Sequence, residues 1–313
     1  MPIDKTKIQR IDQYCDGLSK EFSERGNIPK YSLNTIPEFN RKIWGLKEGL
    51  TVIGARSSQG KSALSLQLAY DLASQGHIVY FLSLEMTVEA LIERLFCNVM
   101  RVDNYELMTG QFLVDERILA KWKEFTTKIK SIPLLITCGI GKTFGEINEL
   151  INLLDPKPNA VFVDYIQSTS TRVGQSREML NEYIRYFRQI ALQHKFVGVL
   201  CSQINRGAME NRNNEPIMSQ LKETGVLEEH SDTCILLHWQ NFYDHKDENF
   251  NEFKIIIAKQ RNGRTGEYVV HYEPQHYRFT EVGGEEEPMM QKSFLEESDV
   301  GEKSLEMFGG KIV

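Results

Sequence analysis

A phosphate-binding loop limits the possible folds of this chain more than any other feature. Residues 50–62, LTVIGARSSQGKS, match the pattern G-x-x-x-x-G-K-[ST]. In this pattern the glycines let backbone N–H groups turn inward toward an anion, and the lysine adds a charge for the β- and γ-phosphates. The serine hydroxyl suits Mg²⁺, and the helix that begins there favours phosphate at its N-terminus. The residues predicted to bind the nucleotide are Gly54, Ser58, Gln59, Gly60, Lys61, Ser62 and Ala63.

Both flanks of the loop agree with this assignment. An apolar run at residues 50–53 precedes the loop and predicts a buried strand, and a mostly apolar helix follows it. A chance glycine-rich turn would lack that context. The order strand, loop and helix therefore predicts an α/β protein with a sheet whose carboxyl edge holds the nucleotide.

Glu85 is a candidate catalytic base. It follows a strand predicted at residues 77–84, and ligands of open α/β sheets gather at the carboxyl ends of strands. A carboxylate there could polarise the water that attacks the γ-phosphate. Residues 85–100 also predict a helix, so Glu85 fits equally well as an acid at a helix N-terminus. The pattern leaves both interpretations open.

Two later strands also end in polar residues. Asp164 closes the apolar strand AVFVDY at residues 160–165, where an acid rarely stands without a cation nearby. We expect Asp164 to hold the hydration shell of Mg²⁺. Gln203 ends a strand at residues 196–202, and a side chain at that edge can sense the γ-phosphate.

The rest of the pattern completes an α/β sheet. Asn262 and Gly263 form a strong hairpin signal, which predicts a tight turn just after Lys259 and Arg261. Residues 240–251 predict a solvated loop. The other predicted strands cover residues 132–137, 232–239, 253–259 and 268–272, and the other helices cover residues 103–130, 144–154 and 178–193.

Charge and cysteine content exclude few functions. The net charge is −6, and the nine acids and three bases of residues 281–313 account for all of it. A neutral remainder still permits a basic channel for nucleic acid. No apolar run reaches membrane-spanning length, and no signal peptide is recognisable. The five dispersed cysteines predict free, mostly buried thiols in a reducing cytoplasm.

Three segments are expected. Residues 30–282 form the nucleotide-binding domain, and the acidic residues 283–313 predict a disordered tail. Within residues 1–29, positions 4–25 predict an amphipathic helix. That helix could pack on its own domain or dock on a neighbouring subunit, and the pattern does not decide between them.

Several ordered motifs resemble the C-terminal ATPase domain of DnaB-type replicative helicases. They are GARSSQGKS, FLSLEMT, VFVDYIQ, VLCSQINR, SQLKETGVLEEHSD and IIAKQRNGRTG, within residues 33–279. The resemblance implies a RecA-like P-loop NTPase core, with a mostly parallel twisted sheet flanked by helices and a C-terminal β-hairpin. It also implies a ring, usually of six subunits, with ATP between subunits and single-stranded DNA in the pore.

The resemblance also implies residue roles. Glu85 matches the catalytic glutamate, Asp164 the Walker B acid and Gln203 the γ-phosphate sensor, beside the phosphate and Mg²⁺ ligands Lys61 and Ser62. Lys259 and Arg261 match a pair that reaches the next subunit's ATP. The residues matching DNA-contacting segments are Lys222, Glu223 and Gly225, with Arg172, Arg177, Arg206 and Arg212 as weaker loop candidates.

Some positions depart from the family pattern. Ser57 and Arg264 stand where proline is usual, Ser62 where threonine is usual, and His230-Ser231 where Asp-Ala is usual. Only about thirty residues precede the ATPase domain, so collar-based recruitment of primase is not expected, whereas the helix at 4–25 resembles the family's linker helix.

These patterns predict an ATP-driven, ring-forming helicase of bacterial or phage type that moves on single-stranded DNA. Its expected partners are DNA, further copies of the chain, and a loader, primase or other replication protein. One alternative is a recombinase-like or regulatory ATPase that assembles on DNA without unwinding it. Another is an interaction module that keeps the ATP site for assembly.

Overall fold

A computed structural model describes residues 29–164, 177–204, 215–221, 224–244 and 251–282, together with four isolated positions near the N-terminus. Those four, Ile11, Cys15, Leu18 and Ser19, are helical and exposed. The rest of the helix predicted at 4–25 and the tail predicted at 283–313 lie outside the described residues.

The elements alternate as the sequence predicts. The strands are β1 Gly49–Ala55, β2 Val79–Ser83, β3 Leu134–Cys138, β4 Ala160–Asp164, β5 Val197–Gln203, β6 Thr233–His238, β7 Glu252–Gln260, β8 Gly266–Glu273 and β9 Arg278–Glu281. The α-helices are α1 Pro37–Ile43, α2 Lys61–Ser74, α3 Val88–Met100, α4 Asn104–Met108, α5 Glu116–Ile129, α6 Phe144–Leu153, α7 Arg177–His194, α8 Thr224–His230 and α9 Asn241–Asp244. Short 3₁₀ helices cover Gln111–Leu113, Met218–Gln220 and Pro274–His276.

All nine strands form one sheet in the order β3-β2-β4-β5-β1-β6-β7-β8-β9. The first six are parallel, and β7, β8 and β9 pair antiparallel. The predicted α/β fold is confirmed, with one extension: a three-stranded meander replaces the expected C-terminal hairpin. Its last strand, β9, was missed because four residues are too few for a clear alternation.

The sheet is buried on both faces, as parallel strands require. In β1 the side chains alternate between two cores. Leu50 and Val52 pack in the core that includes α6 and α7, while Ile53 and Ala55 pack in the core beneath α2 and α3. The phosphate loop therefore leaves the middle of the sheet, between β5 and β6.

Three local predictions are wrong. The helix expected from residue 85 begins at Val88, because the Thr87 hydroxyl caps it by accepting from the N–H of Ala90. The tight turn at Asn262-Gly263 does not form: pairing of β7 with β8 ends at Ile257 and Gly266, eight residues apart. Residues 241–244 of the expected solvated loop form α9, whose Asn241 is buried.

The wide connection after Ile257 has a physical cause. The end of β7 keeps pairing with β6, where Thr233 faces Gln260 and a bulge lies between Cys234 and Ile235. The chain therefore parts from β8 before it turns back. Neither Asn262 nor Gly263 takes the positive φ that a two-residue hairpin turn needs.

All five cysteines are free thiols. Cys97, Cys201 and Cys234 are buried as predicted, Cys138 is half-buried, and Cys15 is exposed. Among the helices that the structure describes, none has the length and apolar character needed to cross a membrane.

Candidate functional site

The phosphate loop depends on a left-handed backbone at two positions. Gly60 caps α2 at φ +69°, and Ser58 lies at φ +62°. A Cβ at Gly60 would lie 2.8 Å from Cζ of Phe279, so glycine is required both for conformation and for space. Gly60 provides no side-chain cap, which leaves the first N–H groups of α2 facing the loop.

Gly54 serves a different purpose from the one expected. It lies inside β1 with an ordinary extended backbone, so it does not curl the loop. A Cβ there would lie 2.4 Å from Leu221 and 2.8 Å from Leu236. The glycine therefore makes room for a close-packed core directly beneath the loop.

Lys61 and Asp164 meet at the carboxyl edge of the sheet. Lys61 is the first residue of α2, and its Nζ lies 3.8 Å from Oδ1 of Asp164. Asp164 is fully buried, and neither of its carboxylate oxygens has a hydrogen-bond partner among the described residues. Burying a charged acid in this way is costly unless a cation and its water ligands complete the site.

The residues fit a magnesium ion held jointly with a nucleotide. Ser62 follows Lys61 at the start of α2 and supplies a hydroxyl next to the Asp164 carboxylate edge. The described part of the chain contains no cluster of three or more His, Cys, Asp or Glu residues able to hold a metal by itself. Burial raises the pKa of the nearby Cys201 thiol, which keeps that group neutral.

Glu85 lies beside this pair. Ser83 of β2 pairs with Asp164 of β4, and the N–H of Leu84 donates to the Asp164 carbonyl at 2.6 Å. A bend follows in which the N–H of Met86 donates to the Ser83 hydroxyl at 2.9 Å. Glu85 is exposed and precedes the helix cap, so it is not an acid of the first helical turn.

Gln203 is bonded directly to the phosphate loop. It pairs with Ala55 in the parallel β1–β5 ladder. Its Nε2 donates to the Ser57 hydroxyl at 2.5 Å. Ser57 is the position where the family usually has proline, and a proline side chain could not accept this bond. The departure noted in the sequence thus provides a contact between the expected sensor and the loop.

Lys259 and Arg261 lie at the opposite edge of the sheet. Because β7 runs antiparallel to β6, its C-terminal end reaches the amino ends of the parallel strands. There the N–H of Arg261 donates to the Asp232 carbonyl at 2.8 Å. The seven-residue strand β1 separates this edge from the phosphate loop by about 20 Å at about 3.3 Å per residue. The pair does not serve the phosphate loop of its own chain.

The C-terminal end of α8 holds the two cations. Lys259 donates to the carbonyl of Glu228, and Arg261 donates to the carbonyl of Glu229 at 2.9 Å. Carbonyls at a helix C-terminus are favourable partners for cations. Burial lowers the pKa of Lys259, and the adjacent Arg261 cation acts in the same direction.

Asp232 is the residue of this edge that sequence reasoning missed. Its Oδ1 lies 3.3 Å from Nε of Arg261 and 2.9 Å from an Nη atom of Arg188. The only sequence signal was an acid directly before a strand, at the end of the SQLKETGVLEEHSD motif. That signal does not reveal a partner 29 residues further along the chain.

Most of the predicted DNA contacts lie outside the described residues. These are Arg172, Arg206, Arg212, Lys222 and Glu223. Gly225 is exposed in α8, with no atom within 4 Å of a built Cβ, and Arg177 begins α7. The proposed role of these residues therefore stays a prediction.

Comparisons with known proteins agree with this geometry. The family model for the DnaB-like helicase C-terminal domain matches residues 34–281. A replicative DNA helicase of Bacillus subtilis is 27% identical over 280 residues, covering 86% of this chain and 60% of the relative. A probable plasmid replicative DNA helicase of Chlamydia psittaci is 28% identical over 262 residues, covering 81% and 53%.

Two solved structures share the fold. A DnaB-like replicative helicase, studied with its interactions with primase, superimposes with a TM-score of 0.78 at 22% identity, covering 87% of this chain and 68% of that one. A solved helicase ATPase domain also gives a TM-score of 0.78 at 23% identity, covering 88% of this chain and all of the other. The chain spans between about half and three-fifths of the length of the curated relatives quoted above.

Proposed function

The chain belongs to the family of DnaB-like helicase C-terminal domains, and from this we propose that it is an ATP-hydrolysing replicative helicase that moves on single-stranded DNA. The curated relatives quoted above are replicative helicases, so a recombinase-like or regulatory ATPase is not favoured. We propose single-stranded DNA and further copies of the chain as partners. A primase or loader is a further candidate, since one structural neighbour was studied with primase.

The proposed reaction is attack of water on the γ-phosphate of ATP. Lys61 and the N–H groups at the start of α2 hold the phosphates, and Ser62 and Asp164 hold Mg²⁺. The ion neutralises phosphate charge when it is bound. Glu85 orients the attacking water and accepts its proton, and Gln203 responds to loss of the γ-phosphate.

The observation that carries the proposal is the separation of Lys61 from Arg261. The phosphate loop lies at one edge of the sheet, and the Lys259–Arg261 pair lies at the other. A head-to-tail contact between two copies would bring one copy's Arg261 toward the other copy's nucleotide, and such contacts close into rings. The guanidinium would then stabilise charge on the γ-phosphate in the transition state.

Strand displacement tests this proposal. The wild-type chain should separate a forked duplex only with ATP and Mg²⁺, and single-stranded DNA should stimulate its ATPase rate. Glu85→Gln should bind nucleotide normally yet abolish both activities, because only the base is lost. Strong, DNA-stimulated ATPase activity without strand separation would instead favour the non-unwinding ATPase.

A further inference from the structure

We propose that Asp232 is a positioning residue for Arg261, holding its guanidinium in the orientation that meets a neighbouring subunit's nucleotide. This inference rests on the proposed function, because it concerns how that shared site is prepared. Asp232 does not touch the nucleotide itself. It acts through Arg261, and nothing in the motif comparison assigns it this role.

The Asp232 carboxylate is used on both oxygens. Oδ1 receives Arg261 at 3.3 Å and Arg188 at 2.9 Å. Oδ2 accepts the N–H of Leu50 at 2.9 Å and lies 3.4 Å from Nε of Arg188. Each oxygen thus has partners from different elements, so the carboxylate cannot rotate without breaking several bonds.

Rigid backbone fixes Asp232 in turn. Its N–H donates to the Leu50 carbonyl at 2.7 Å, and its carbonyl accepts the N–H of Arg261 at 2.8 Å. Gly49 lies at φ +113°, and a Cβ there would lie 2.5 Å from Oδ2 of Asp232. The mount of the arginine is therefore built on β1, the same strand that carries the phosphate loop at its other end.

Charge explains why a carboxylate is needed at this position. Three cations, Arg188, Lys259 and Arg261, surround the single acid Asp232. Without its negative charge the cations repel one another, and Arg261 keeps only its bond to the Glu229 carbonyl. Its side chain is 43% exposed, so it can then turn away into solvent.

The test variant is Asp232→Asn, which keeps the shape and an acceptor for the Leu50 N–H but removes the charge. We expect the ATPase turnover to fall about tenfold or more, while affinity for a fluorescent ATP analogue stays unchanged. The binding measurement also reports folding, because the phosphate loop lies at the other edge of the sheet. Asp232→Ser is the second variant should the asparagine chain fail that check.

Mixing subunits separates a positioning role from a structural one. Asp232→Asn subunits keep Glu85, and Glu85→Gln subunits keep an intact Arg261 mount. A mixture of the two should therefore regain activity, as should a mixture of Arg261→Ala with Glu85→Gln. The double variant Asp232→Asn/Arg261→Ala should be no slower than Arg261→Ala alone, because Asp232 acts only through Arg261.

Arg185→Gln is the matched control. Arg185 lies on α7 like Arg188, but its contact is with His230 rather than Asp232. We expect its ATPase rate to match the wild type.

Three results would overturn the inference. Asp232→Asn could keep full turnover, its loss could resist mixing while that of Arg261→Ala is rescued, or the double variant could be slower than Arg261→Ala. In each case the proposed function stands. If Arg261→Ala is not rescued either, the shared site itself fails, and this inference fails with it.

Discussion

Gln67 is expected to be the main tie between the phosphate-loop helix and the C-terminal edge strand. It is 1% exposed on α2. Its Oε1 accepts the N–H of Phe279 at 2.8 Å, and its Nε2 donates to the Phe279 carbonyl at 2.8 Å. Asn98 of α3 donates to the same Oε1 at 3.0 Å. The amide thus replaces the strand that β9 lacks on its outer side.

Gln67→Leu removes this amide without changing the side-chain volume greatly. It leaves the buried N–H and carbonyl of Phe279 unsatisfied, at about 1–3 kcal/mol each. Part of this cost is offset because leucine is more favourable to bury than glutamine. We therefore expect the free energy of unfolding to fall by about 3 kcal/mol.

Urea unfolding without nucleotide measures this change. With a slope of about 3 kcal/mol per molar, the midpoint should fall by about 1 M. Gln193→Leu, the same change at an exposed position of α7, should move the stability by less than about 0.5 kcal/mol. Equal effects of the two variants, or a loss under about 1 kcal/mol at Gln67, would refute the reasoning.

Three further predictions concern the interior of the domain. Burial raises the pKa of Asp71 to about 6 from 3.8, so the folded chain binds a proton more readily and its stability falls as pH rises from about 4 to 6. Asp71→Asn should therefore gain about 3 kcal/mol relative to wild type between pH 4 and 7, and a pH-independent difference in urea unfolding would contradict this. Asp164→Asn should raise the melting temperature without nucleotide and weaken Mg²⁺–ATP binding, since it removes a buried, unbonded carboxylate; a change of the same sign in both would count against the assignment. Gly54→Ala should cost about 1–3 kcal/mol through contact with Leu221, whereas Gly266→Ala, with no atom within 4 Å, should cost little.

The phosphate loop and the central strands were predictable because their signals are local. The run before Gly54, the helix after Lys61 and the acid ending AVFVDY each carry their meaning within a few residues. The structure then brings Lys61, Asp164 and Glu85 to one edge, as expected for carboxyl ends of parallel strands.

The remaining features depend on contacts between distant parts of the chain. The Asn262-Gly263 pair favoured a tight turn, but pairing of β7 with β6 prevents it. Gly54 seemed to be a hinge, yet it is required by side chains more than 160 positions away. The roles of Asp232 and Gln67 are likewise set by tertiary partners, which local patterns do not encode.

Complementation between two inactive variants tests most directly the claim that each ATP site is shared by two subunits. Arg261→Ala keeps its own Glu85, and Glu85→Gln keeps its own Arg261. In an equal random mixture, about a quarter of the interfaces would combine both intact residues, so the ATPase rate should recover to about a quarter of wild type. A mixture no more active than its two components, or an Arg261→Ala chain that is fully active alone, would contradict the shared site.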